Sequence, residues 1–164
     1  MLNQPQIEHR PSRPYLGVAT TTSLDREAEV IPARLRQLEA WMASRGLRAN
    51  GSPFVRYHRI EMPHRLDIEV GVPLADAADG EGEVIAGELP AGRYAVLLHT
   101  GPLDELVEAN AALQRWAELH QVRFDVEEQG PASVWAARIE ASLTDPEAEP
   151  DPRGRQTEIA YLLA

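Results

Sequence analysis

At 164 residues and 43% hydrophobic content, the chain is long enough for one domain with a packed interior, or two small lobes sharing a core. Its formal net charge is −10, its side-chain cations are all Arg or His, and no basic stripe is present to hold duplex nucleic acid, so the charge favours cationic small molecules. The absence of Cys removes disulfides, thiolate nucleophiles and Cys metal sites; with neither an apolar leader in MLNQPQIEHRP nor a membrane-length apolar run, a cytoplasmic, membrane-free protein is expected.

Residues 1–13 read as a loose polar lead-in with room for a short edge strand. Tyr15–Thr22 is rich in β-formers and predicts a strand. From about Glu27 to Arg45, Ile31, Leu35, Leu38 and Met42 step by four, three and four, which is one helical stripe. Pro32 fits its first turn, and Gly46 its stop. Phe54–Glu61 and Leu66–Leu74 predict paired strands, the second alternating Ile68, Val70 and Val72 with Asp67, Glu69 and Gly71. Residues 75–83 read as an acidic linker. Strands follow at Val84–Leu89 and Arg93–Thr100. A helix then starts at Pro102 or Leu103 and ends near His120, its stripe running Leu106, Ala109, Leu113 and Ala117. Val134–Leu143 predicts one strand, 144–155 an acidic proline-rich loop, and Gln156–Leu163 a closing strand.

The same order of signals occurs twice. Trp41 recurs as Trp116, the Arg59-Ile60-Glu61 run as Arg138-Ile139-Glu140, and Glu69 as Glu158, at offsets of 75, 79 and 89. Repeat one spans about 14–74 and repeat two about 84–164. Each reads strand–helix–strand–strand, so the expected class is α+β with pseudo-twofold symmetry: an antiparallel sheet with helices on one face and a ligand groove on the other. Alternation along 134–143 puts Trp135, Ala137, Ile139, Ala141 and Leu143 on the helix side, and Arg138 and Glu140 on the groove side. The offset of 79 adds Tyr57, Arg59 and Glu61 to the groove side. Glu69 and Glu158 lie opposite Val70 and Ile159. The plainer alternative for Arg138 and Glu140 is an exposed ion pair, contributing roughly 0–1 kcal/mol. Trp41 and Trp116 fall on helical stripes and belong to the core. The five histidines lack metal-ligand spacing, so neither metal nor cofactor is expected.

Several pieces, in order, resemble the GyrI-like small-molecule-binding domains, the effector-binding fold of multidrug-responsive and AraC-type regulators. They are Leu66-Asp-Ile-Glu69-Val-Gly-Val-Pro73, Gly92-Arg-Tyr-Ala95 through Gly101-Pro102, Leu113-x-x-Trp116, and Glu140…Asp145-Pro146 followed by Thr157-Glu158-Ile159. The resemblance covers about 14–164. It implies that Glu140 is the pocket glutamate facing lipophilic cations, and that Ser142 stands where the family commonly has Tyr. The resulting ligand-binding set is Glu140, Tyr57, Arg138, Glu69, Trp135 and Tyr94. The expected function is a stand-alone binding protein for lipophilic, cationic compounds, with no legible helix-turn-helix segment. The resemblance also implies two alternatives: a hydrolase of cyclopropane-bearing natural products with Glu140 as general base, and a gyrase-inhibitor-like protein with a protein partner.

Overall fold

The computed structural model describes residues 1–164. In chain order the elements are β1 (Gln6–Arg10), β2 (Arg13–Thr22), α1 (Glu27–Ser44), β3 (Phe54–Glu61), β4 (Arg65–Pro73), β5 (Val84–Leu89), β6 (Gly92–Thr100), α2 (Leu106–Leu119), β7 (Val126–Gln129), β8 (Ala132–Trp135), β9 (Arg138–Ser142) and β10 (Gln156–Leu162). All ten strands form one antiparallel sheet in the order β1-β6-β10-β9-β3-β4-β2-β5; β8 pairs with β3 beyond the end of β9, and β7 pairs with β8. The lead-in carries β1, an edge strand on β6. No helix is long and apolar enough to cross a membrane.

Both helices cover the same sheet face, as their stripes predict. Ala109 and Leu113 of α2 pack with Val55, Tyr57, Ile68, Leu97 and Ile159. Leu38 and Met42 of α1 pack with Leu16, Val18 and Val72. Burying each such aliphatic side chain contributes about 1.5–3 kcal/mol, which is why these stripes fix the helix positions. Gly46, at φ +67, ends α1, and the Leu47 N–H turns back to the Met42 carbonyl in a C-terminal capping turn. Pro32 lies inside α1 rather than in its first turn, because the helix already begins at Glu27. The opposite sheet face has its own cluster, containing Tyr15, Phe54, Tyr94, Val96, Ile139, Ala160 and Leu162.

Two interruptions of strand alternation decide which side chains meet. The stretch expected as one strand over 134–143 is two, β8 and β9, separated at Ala136–Ala137. There the Ala136 N–H donates to the Asp125 carbonyl, and the Ala137 carbonyl accepts from the Leu162 N–H. Trp135 and Arg138 therefore end on the same face, the one bearing the helices. The second interruption is a bulge in β3 between Tyr57 and Arg59, after which Arg59 pairs with Asp67 while Tyr57 pairs with Ile68. The sheet register sets Val55 opposite Glu140.

Candidate functional site

Glu140 lies on β9, at the centre of the sheet, opposite Val55 on one side and Ile159 on the other. Both partners face α2, so Glu140 lies on the helix-bearing face rather than the face opposite the helices. It keeps some solvent-accessible surface yet is largely surrounded by protein. Asn110 of α2 donates Nδ2–H to its Oε2 at 2.7 Å, and the Tyr57 hydroxyl lies 3.3 Å from its Oε1. The same hydroxyl lies 3.2 Å from Glu27 Oε2, at the start of α1. Thus α2 bonds Glu140 directly through Asn110, and α1 is linked to it through Glu27 and the shared Tyr57 hydroxyl.

The electrostatics follow from this enclosure. Burial pushes the Glu140 carboxyl above its ordinary range; the Asn110 hydrogen bond, the Arg138 charge and the Tyr57 hydroxyl offset only part of the rise. Glu27 is pushed up to about 7, by burial first and the Glu140 charge second. Tyr57 is driven well above a phenol's usual value by burial and both carboxylates, so it remains a proton donor. One hydroxyl proton serves two acceptors, so a protonated Glu27 can donate to the Tyr57 oxygen while Tyr57 donates to Glu140.

Arg138, two residues earlier on the same face, is 8% exposed. Its guanidinium carbon sits 4.6 Å from the Tyr161 ring centre, 4.7 Å from that of Trp135 and 6.0 Å from that of Tyr57. Asn110 lies between the two charges, accepting from Arg138 Nη2 at 3.3 Å and from the Tyr161 hydroxyl at 2.5 Å. Burial pushes Tyr161 up to about 12.

Four of the six expected site residues therefore meet: Glu140, Tyr57, Arg138 and Trp135. Glu69 and Tyr94 do not join them, nor does Arg59 from the expected groove set. Glu69 pairs across the sheet with Arg56, and so faces away from the helices. It is 8% exposed and accepts from the Tyr15 hydroxyl at 2.7 Å, while His58 Nε2 lies 2.5 Å from its other oxygen. Arg56 in turn donates to the Tyr15 hydroxyl at 3.1 Å. Burial works to raise Glu69, but the His58 and Tyr15 hydrogen bonds and the His58 and Arg56 charges outweigh it and hold the carboxyl below its usual range. Tyr94 belongs to the same opposite face, its hydroxyl donating to the Pro90 carbonyl and Arg10 lying over its ring. An open concavity of about 360 Å³ lies elsewhere, between the Thr20–Ser23 end of β2 and the Arg26, Val30 and Arg34 side of α1.

Three members of the site escape sequence reasoning: Glu27, Asn110 and Tyr161. Asn110 had a readable signal, since it stands four residues after Leu106, within the apolar stripe of α2. Glu27 looks like any first-turn helix acid, and Tyr161 like any core ring. No group of three or more His, Asp or Glu is arranged to hold a metal ion.

A family model described as the GyrI-like small molecule binding domain matches residues 3–128. The fold is similar to that of the EcmrR C-terminal domain, with 19% identity and a TM-score of 0.76 over 98% of this chain and 97% of that one. It is likewise similar to the EcmrR chain in a DNA complex, at 21% identity and TM-score 0.77, over 98% of this chain but only 57% of that one. A hydrolase from Listeria innocua aligns at 14% identity and TM-score 0.68, over 98% of this chain and 92% of that chain. SAV2435, in a structure bound to tetraphenylphosphonium, aligns at 16% identity and TM-score 0.61, over 99% and 94%. No curated protein sequence matches the chain.

Proposed function

Because the chain belongs to the GyrI-like family of small-molecule-binding domains, we propose that it binds lipophilic cations between α1 and α2, above the Glu140 carboxylate. The observation that carries this reading is the state of Glu140. A carboxylate held by Tyr57 and Asn110 and raised by burial gains more from an arriving cation than an exposed one would. Aromatic walls add cation–π attraction of about 0.5–2 kcal/mol each when desolvated. Glu27 adds a second carboxylate that ionises as a cation approaches. SAV2435, of similar fold, is bound to a lipophilic cation, tetraphenylphosphonium, which makes that ion a suitable probe here. Titration of the full chain with tetraphenylphosphonium, followed by calorimetry, tests the reading. Glu140→Gln weakens binding at least about tenfold, a loss of about 1.4 kcal/mol. Equal affinity in both proteins removes Glu140 from the site.

A second reading is favoured by Glu27, held at about 7 and joined to Glu140 through one hydroxyl. One protonated and one ionised carboxyl make an acid–base pair at neutral pH. A hydrolase of cyclopropane-bearing compounds would use Glu140 to take a proton from water and Glu27 to return one to the opened ring carbon. Incubation with a cyclopropane-bearing natural product tests it: turnover is lost in Glu140→Gln and in Glu27→Gln, and no turnover above buffer retires the reading.

A further inference from the structure

We infer that Arg138 is the resident cation of this site: its guanidinium fills the aromatic box that a ligand's cationic centre enters, and so sets which cations are accepted. The inference rests on the lipophilic-cation reading of the Glu140 site. Three rings surround the guanidinium, the Trp135 and Tyr161 centres lying 4.7 and 4.6 Å from its carbon and that of Tyr57 6.0 Å away. A buried arginine normally meets a carboxylate through paired hydrogen bonds. Arg138 has no carboxylate within ion-pair distance. Its side-chain hydrogen bond goes to Asn110 Oδ1, at 3.3 Å, and its Nε is buried without a partner. A cation so enclosed and so poorly paired is held chiefly by ring faces and by the field of Glu140 beyond Asn110. Both attractions are open to any cation that fits.

An incoming ligand therefore competes with an internal ion rather than entering empty space. Bulky, weakly hydrated cations with delocalised or shielded charge, such as aryl phosphonium ions, cover the rings at least as well as a guanidinium and displace it. Compact alkylammonium ions keep their hydration and do not. Asn110 is placed to rearrange with the exchange, because it bonds Arg138, Tyr161 and Glu140 together.

Tetraphenylphosphonium is titrated at pH 8, where Glu140 and Glu27 are more fully ionised, into wild type, Arg138→Met, Arg138→Lys and Glu140→Gln. Arg138→Met, which keeps the stem but removes the charge, binds about tenfold tighter, the scale of one buried cation–π exchange. Arg138→Lys stays within about threefold of wild type, since the charge persists. Arg138→Gln replaces the Met variant if Met does not fold, and is read the same way. Affinity in the Met variant equal to or weaker than wild type, with Glu140→Gln still weakened, overturns the resident-cation role and leaves the cation reading standing. Unchanged affinity in Glu140→Gln overturns both.

Discussion

Glu140 and Glu69 make an informative pair. They are the cross-strand partners of Val55 and Arg56, consecutive residues of β3, so they stand one strand apart in the middle of one sheet, on opposite faces. Glu69 is surrounded by donors: the Tyr15 hydroxyl, His58 and, behind Tyr15, the Arg56 guanidinium. Its carboxyl is held low despite burial. Glu140 has a neutral amide, a phenol shared with Glu27, and an arginine screened by Asn110. Its carboxyl is raised. The first arrangement satisfies a buried charge; the second leaves it under-compensated, which is costly for folding and useful for binding. Residue type and depth in the sheet do not separate the two roles. The partners do.

The largest expected effect that would break this comparison is on Glu69. Glu69→Gln leaves the Tyr15 and His58 donors facing a weaker, neutral acceptor and the Arg56 charge without its carboxylate, and costs about 1.5–3 kcal/mol of stability in urea unfolding at pH 7. The folded carboxyl is held below its unfolded value, so its contribution is present above the unfolded pKa and fades as the pH falls through the folded one. The gap between wild type and variant therefore narrows in acid. Glu140→Gln in the same assay stays within about 0.5 kcal/mol of wild type or is more stable, because it removes a poorly compensated charge. Equal losses for the two variants would abolish the distinction. A smaller effect is expected from Tyr15→Phe, which deletes one of the two hydrogen bonds to Glu69 and costs about 1 kcal/mol. Gly87 permits that tyrosine's position: a Cβ there would lie 2.4 Å from Tyr15 Cζ.

The fold was largely legible because its signals are periodic. The stripe of α1, the stripe of α2 and the alternation of β4 each name a face, and the helices share one face as expected. Glu140 was reachable through the order of family-like motifs, and the site's other expected members only in part. Alternation misplaced Glu140 because it assumes an uninterrupted strand, whereas the chain breaks at Ala136–Ala137 to hydrogen-bond with Asp125 and Leu162. Likewise, the bulge after Tyr57 removes Arg59 from the face Tyr57 occupies. Neither irregularity has a Gly or Pro to announce it. Alternation sets Glu69 on the face opposite Val70, and there it lies; the two carboxylates part because Glu140 stands on the helix face. Tyr94 enters the expected set only as an aromatic ring, and composition carries no information about sheet face. Asn110, a polar residue inside an apolar stripe, is the signal in the sequence that points to this face.

Glu27 offers the subtlest way to sharpen the comparison, since its effect is read only through pH. Its folded carboxyl titrates near 7, raised by burial and by Glu140, while an unfolded glutamate titrates near 4.3. A raised carboxyl makes its full contribution below the unfolded pKa; between the two values the unfolded chain ionises first, and stability declines until the pH passes the folded value. Glu27→Gln removes that decline. Thermal unfolding from pH 4.5 to 8 is thus expected to show the two proteins converging toward acid, with the variant becoming the more stable by up to about 1 kcal/mol above pH 7, a figure reduced for the partial exposure of the side chain. On the proposed reading, the same titration governs binding. A lipophilic cation that recruits an ionised Glu27 expels its proton, so wild-type affinity for tetraphenylphosphonium rises from pH 6 to 8, while the Glu27→Gln profile is flatter. A wild-type profile as flat as the variant's would mean that Glu140 meets the ligand alone, with Glu27 contributing only to the folded state.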